Sequence, residues 1–307
     1  MMRQSEESGM QANRFLPALV MGAAALCQAA ALSYPPRMEG AIEEVYKNAG
    51  GTDLKIYIFN PPGHSATQRR PAIVFFFGGG WSSGSPAQFE NQCRYLASLG
   101  MVAMTADYRV KNRQGVAAVE CVRDAKSAIR WVRQNAGRLG VDPNHIAAGG
   151  GSAGGHLAAA AGVIDGLDEP GENLKISSRP NALVLFNPAL VLAPVAGESN
   201  AKFPDLRERA GVDPVQISPW HHVRKGAPPT IIFHGKADTT VPYATAEMFA
   251  SKMKDAGNRC ELVGFEGAAH GFFNFGRQGS QGYRETLRRA AEFLQSLGYL
   301  SRVTPVP

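Results

Sequence analysis

The chain predicts an α/β protein built on a mostly parallel sheet of about eight strands, with helices on both faces and a small lid insertion. Three observations carry that expectation. Short apolar runs rich in Val, Ile and Phe alternate with amphipathic stretches from about residue 40 to 300, the order that builds strand–helix–strand units. Most of these runs lack polar alternation, as strands covered on both faces do. Four of the five helical stretches end in glycine, the residue that most readily takes the left-handed stop.

The elements follow in order. AIEEVYK (41–47) and LKIYIF (54–59) are strands that can pair as an antiparallel edge. AIVFFF (72–77) and MVAMTADY (101–108) flank a helix over 86–100. A longer helix is expected over 117–140, where Val119, Val122, Ala125, Ala128, Ile129 and Val132 fall on one stripe at helical spacing. HIAAGG (145–150) leads into a helix over 152–164. ALVLFN (182–187), TIIFHG (230–235) and CELVGFE (260–266) complete the strands, and helices over 243–257 and 285–298 close the pattern. Residues 190–228 are irregular and rich in prolines and charges, yet apolar and aromatic residues recur through them. A long excursion of that composition reads as an ordered lid over a site. No repeat or low-complexity linker divides 32–307, which is expected to be one domain.

Residues 1–31 read differently. Arg14 precedes FLPALVMGAAALCQAAALS, an apolar run ending in small residues. A basic residue, a short apolar segment and an A-x-A-like site describe a secretory signal peptide, expected to be cut between about residues 29 and 33. A membrane anchor is the rival, but the strongly apolar part falls short of the roughly 20 residues a spanning helix needs. A lipoprotein signal at Cys27 would place Leu26 where such signals prefer a small residue. The expectation is therefore a secreted or periplasmic protein with no stable membrane insertion after cleavage. Cys93, Cys121 and Cys260 remain. They allow one disulfide at most and read as buried thiols.

The composition, 44% hydrophobic and 19% charged, is that of a globular protein with a sizeable core. A net charge of +6 raises the question of nucleic acid. The basic residues are scattered among acids, as in YRETLRR (283–289), which describes a solvated surface rather than a phosphate-binding face. No nucleic-acid partner is expected.

Chemistry concentrates in AAGGGSAGGH (147–156), where five glycines surround one serine. Glycine inside a helix or strand costs roughly 0.5–1 kcal/mol relative to alanine, so the cluster serves a geometry that a Cβ would obstruct. Gly150–Gly154 matches G-x-S-x-G, in which the serine sits on a sharp strand-to-helix bend with its hydroxyl exposed at the edge of the sheet. The pentapeptide alone is weak, since a flexible turn with an incidental serine would match it. Two further stretches strengthen it. FFFGGGW (75–81) ends another strand, and its glycines can turn backbone N–H groups toward an oxyanion. No lysine follows as a phosphate loop requires, and Trp81 would crowd a dinucleotide pyrophosphate. Asp238, in HGKADTTVP, and His270, in GAAHGFF, each follow a strand, giving the chain order Ser, Asp, His. Asp205 and Glu266 lack Asp238's strand-end setting. His221, His222 and His234 read as structural.

Together FGGGW, DYR (107–109), GGSAGG (150–155), the Asp238 loop and AHGF (269–272) resemble the α/β-hydrolase superfamily, in particular esterases of the hormone-sensitive-lipase type and related acetyl and feruloyl esterases. The resemblance spans roughly residues 40–300. It implies Ser152 as nucleophile, His270 as general base and Asp238 as its orienting acid. The backbone N–H groups of Gly79, Gly80 and Ala153 would form the oxyanion hole. Two positions depart from the family pattern: Phe77 stands where HGGG has histidine, and Gly151 where an acid commonly precedes the nucleophile.

The expected substrate is a short-chain acyl ester, small-molecule or polysaccharide, including acetyl or feruloyl esters of plant polysaccharide. Trp81, Trp220 and Phe272 are candidates to line its pocket, with core packing the alternative for each. Amide hydrolysis of the arylformamidase or peptidase kind on the same fold stays open, as does a non-catalytic binding role. The mechanism calls for no metal and no cofactor.

Overall fold

The computed structural model describes residues 34–195 and 206–307. The expected export segment, with Cys27, lies outside them, as do residues 196–205 of the expected lid. Eight strands form one sheet: β1 (Ile42–Ala49), β2 (Thr52–Phe59), β3 (Arg70–Phe76), β4 (Val102–Ala106), β5 (Val141–Gly151), β6 (Ala182–Phe186), β7 (Thr230–Gly235) and β8 (Cys260–Phe265). Their spatial order is β1-β2-β4-β3-β5-β6-β7-β8. The first two form the expected antiparallel edge, β2 runs antiparallel to β4, and every later pairing is parallel.

The helices are α1 (Glu90–Ser98), α2 (Lys111–Gln114), α3 (Ala118–Gln134), α4 (Ala153–Val163), α5 (Leu206–Ala210), α6 (Pro214–Ile217), α7 (Tyr243–Asp255) and α8 (Gln281–Ser296). β3 shows why its sequence is continuously apolar. Val74 and Phe76 enter the core beneath α3, α4 and α7, while Ile73 and Phe75 enter the opposite core beneath α1 and α8. Both layers bury completely, and each large side chain so buried contributes roughly 1.5–3 kcal/mol.

Several boundaries differ from expectation, β5 for one beginning at Val141 rather than His145, and two have a visible cause. α3 ends at Gln134 rather than near residue 140, because the Asn135 side chain donates to the Trp131 carbonyl and Gly140 turns the chain at a φ of 61°. α8 begins at Gln281, upstream of the expected start. Gly282 in its first turn permits a close contact: a Cβ on it would lie 2.5 Å from the Phe272 carbonyl oxygen.

The described part of 190–228 holds α5, α6 and a 3-10 turn over Pro219–His222. Leu190, Leu206, Ala210 and Ile217 of this stretch join the core. Cys93, Cys121 and Cys260 are buried free thiols, and burial pushes Cys260 up to about 12. Among the described residues no helix is long and apolar enough to cross a membrane.

Candidate active site

Ser152 lies between the last residue of β5 and the first of α4. Its φ of 53° is a backbone strain that a non-glycine residue rarely carries outside functional bends. Packing from every side holds it there. The Ser152 N–H donates to the Phe186 carbonyl at 2.9 Å, and the Ser152 carbonyl accepts from the His156 N–H at 3.0 Å. A Cβ on Gly154 would lie 2.0 Å from the Phe76 carbonyl oxygen, and one on Gly150 would lie 2.5 Å from the Gly154 backbone. The glycines therefore let β3, β5 and α4 meet at one point, which the serine occupies.

The missing acid at 151 has its own cause. A Cβ there would fall 2.5 Å from Cζ of Phe273, so the ring occupies the space that a side chain at 151 would take. Gly151→Ala is expected to destabilise the fold by about 1–3 kcal/mol, the usual cost of overpacking. A shift in denaturant midpoint checks this, and adding Phe273→Leu should recover most of the loss.

His270 and Asp238 arrive on the loops after β8 and β7. The Ser152 hydroxyl stands 3.0 Å from His270 Nε2, and His270 Nδ1 stands 2.7 Å from Asp238 Oδ2. With a neutral ring, Nδ1–H donates to the carboxylate and Nε2 accepts from the serine. Asp238 is buried. Burial pushes its carboxyl up, but hydrogen bonds from His234, His270, the Val241 N–H and Asn187 outweigh that and hold it well below the usual carboxylate range. The Thr240 and Val241 N–H groups reach Oδ1 at 2.8 and 2.9 Å, and Asn187 Nδ2 reaches Oδ2 at 2.6 Å. His234 contacts the same oxygen at 3.3 Å while sharing its Nε2–H with the Val241 carbonyl. Asp205 lies outside the described residues, and Glu266 instead pairs with Lys236.

The loop after β3 closes the other side. Gly79, Gly80 and Ala153 line one cavity with Ser152 and His270, and among the described residues their N–H groups make no hydrogen bond. Phe77, the residue in place of histidine, is fully buried and stacks on Tyr108 with ring centroids 4.0 Å apart. The Tyr108 hydroxyl also donates to the Phe77 carbonyl at 2.7 Å. Apolar stacking and the Tyr108 hydrogen bond thus help to hold the loop where the family has histidine. Further along it, Trp81 Nε1–H donates to Nδ1 of His156 at 3.0 Å, and His156 Nε2–H donates to the Ile217 carbonyl at 2.6 Å. Burial pulls His156 down to about 4, so the neutral ring spans between Trp81 and α6.

The cavity measures about 400 Å³, within the range of small-molecule sites. Of the three aromatic candidates only Trp81 lines it. Trp220 packs elsewhere, its Nε1–H donating to Met248 and Lys252 sitting 3.7 Å over its ring. Phe272 turns away to pack against Phe265, its ring tilted 45° to that neighbour, and the adjacent Phe273 takes the wall position. Sequence reasoning also missed Asn187, His156, Gln88, Arg209 and Arg277. Asn187 carried a signal, as a polar end to the apolar run ALVLFN.

A mostly parallel sheet with a strained serine on its central strand-to-helix bend, and an acid and a histidine on later strand ends, defines an α/β hydrolase. The sequence matches a family described as the alpha/beta hydrolase fold over residues 73–274, and the chain belongs to that family. Its relatives include the esterase LipC of Mycobacterium tuberculosis, 32% identical over 222 residues, which cover 67% of this chain and 54% of that protein. A probable isoprenylcysteine alpha-carbonyl methylesterase of Oryza sativa subsp. japonica is 28% identical over 241 residues, covering 74% of this chain and 56% of that protein. The chain thus spans about half the length of the curated relatives it matches. Among solved structures, the apo form of Thermogutta terrifontis esterase 2 superposes with a TM-score of 0.85 at 57% identity, over 88% of this chain and 100% of that one.

Proposed function

We propose that the protein is a serine carboxylic-ester hydrolase acting on short-chain acyl esters. The observation that carries this reading is the hydrogen-bonded line from Ser152 through His270 to Asp238, opening into a cavity that Gly79, Gly80 and Ala153 also line. As Ser152 Oγ attacks the ester carbonyl, its proton passes to His270 Nε2. Asp238 stabilises the resulting imidazolium and keeps the ring in the tautomer that could accept. Gly79, Gly80 and Ala153 N–H groups hold the oxyanion, and losing one such donor typically costs about 2.7–4 kcal/mol. Collapse expels the alcohol, which takes the proton from His270 and leaves an acyl-serine. Water, deprotonated by His270, then frees the acid and the enzyme.

The short-chain preference draws support from the cavity's modest size and from relatives. Thermogutta terrifontis esterase 2 has been solved with propionate, at 57% identity and a TM-score of 0.85 over 89% of this chain, and with butyrate. The test is a kcat/KM series on p-nitrophenyl acetate, butyrate, octanoate and laurate, with acetylated xylan, methyl ferulate and an aryl formamide in parallel. Activity should peak at or below butyrate. A maximum at laurate would refute the short-chain claim, and cleavage of the amide alone would favour the amidase alternative. Export is also proposed, on the Arg14-led apolar run, and mass measurement of the mature amino terminus checks it.

A further inference from the structure

The ester-hydrolase reading leaves one cavity residue without a task. Resting on that reading, we propose that Arg277 selects esters carrying a carboxylate, so that an anionic ester is preferred over its neutral counterpart. The charge of the wall supports this. Among the described residues lining the cavity there are two arginines, Arg209 and Arg277, and no Asp or Glu. Asp238 sits behind His270 with both oxygens engaged.

The other cationic and amide side chains of the wall are occupied. Arg209 donates to the Gly80 carbonyl at 2.9 Å and lies 5.3 Å from the Trp81 ring. Gln88 accepts from the Gly78 N–H at 2.6 Å and donates to Asn274 at 2.9 Å. Asn274 in turn donates to the Gly271 carbonyl at 2.8 Å. Arg277 differs from all of these. It is exposed, its backbone is tied to the Asn274 carbonyl at 3.2 Å, and among the described residues its guanidinium has no hydrogen-bond or ion-pair partner.

A guanidinium presents a planar fork of donors that matches a carboxylate in two parallel hydrogen bonds, which a neutral group cannot reproduce. A cation on a cleft wall whose described lining holds no acid also raises the local concentration of an anionic substrate. Both effects act on binding, so they should appear in KM more than in kcat.

Two matched ester pairs separate the side of the ester that carries the charge. p-Nitrophenyl hemiglutarate against p-nitrophenyl hexanoate places it on the acyl group. 4-Acetoxybenzoate against its methyl ester places it on the alcohol. With the whole chain, the anionic-to-neutral ratio of kcat/KM in one pair should fall about tenfold in Arg277→Gln, mainly through KM. Arg277→Lys should retain part of the preference, and 1 M salt should erode it in the wild type. Ratios that are equal in wild type and Arg277→Gln for both pairs would overturn the proposal. Failure of the ester reading looks different, because the wild type would then leave the neutral esters uncleaved as well.

Discussion

Ser152→Ala should lower kcat on p-nitrophenyl acetate by about 10⁴- to 10⁶-fold, leaving the residual rate that binding and oxyanion stabilisation alone supply. The size of the effect follows from how the serine is placed. Among the described residues its hydroxyl has one partner, His270 Nε2 at 3.0 Å, so removing it deletes the nucleophile and little else. The bend itself is held by the Ser152 backbone groups and by the glycines around it, and alanine can keep all of those contacts. Thermal unfolding of the variant should accordingly stay close to wild type. A large fall in both activity and unfolding temperature would show instead that the hydroxyl is structural.

Asp238→Asn should cost about 10⁴-fold in kcat, by a different route. The amide can donate to Nδ1 of His270, which puts the ring proton on Nε2 and removes the acceptor that Ser152 needs. Stability changes as well. The folded-state pKa of Asp238 is depressed, so its ionised form contributes stability that is fully present above the ordinary carboxylate value near 3.9 and is lost as pH falls through the folded value. Between pH 5 and 8 the aspartate therefore adds no slope to the stability profile. Replacing it leaves the Thr240 and Val241 donors with a weaker acceptor throughout that window and sets the new amide N–H group against the Asn187 Nδ2 donor. Parallel kcat and denaturation series on the variant separate the two effects. A kcat within tenfold of wild type would remove Asp238 from the proposed proton path.

Much of this arrangement was legible in the sequence because each chemical group directly follows an apolar run. Runs buried on both faces leave their strand ends as the places where polar side chains emerge, and Ser152, Asp238 and His270 occupy three such ends. What escaped reading depends on direction. Phe272 and Phe273 are adjacent, yet one packs on Phe265 and the other against Gly151 and the cavity. After the strand has ended, no periodicity says which of two neighbours faces inward. Trp220 and Trp81 likewise differ by long-range partners, Met248 and Lys252 for one, His156 for the other. His156 follows the glycine pair in plain view, but its role rests on the Ile217 carbonyl, far along the chain. The two departures at Phe77 and Gly151 were visible as letters, while their cause, the Tyr108 and Phe273 rings, needed the packing.

The central claim is that Ser152 is the nucleophile, and covalent trapping tests it most directly. Thermogutta terrifontis esterase 2 is described as phosphorylated by paraoxon, in a structure 56% identical to this chain with a TM-score of 0.83 over 88% of it. Incubating this protein with paraoxon, then weighing the intact chain and mapping its peptides, should give one diethylphosphoryl adduct on Ser152. The adduct should appear together with loss of ester hydrolysis, and it should be absent from Ser152→Ala. An adduct elsewhere, or full inactivation with Ser152 unmodified, would contradict the account.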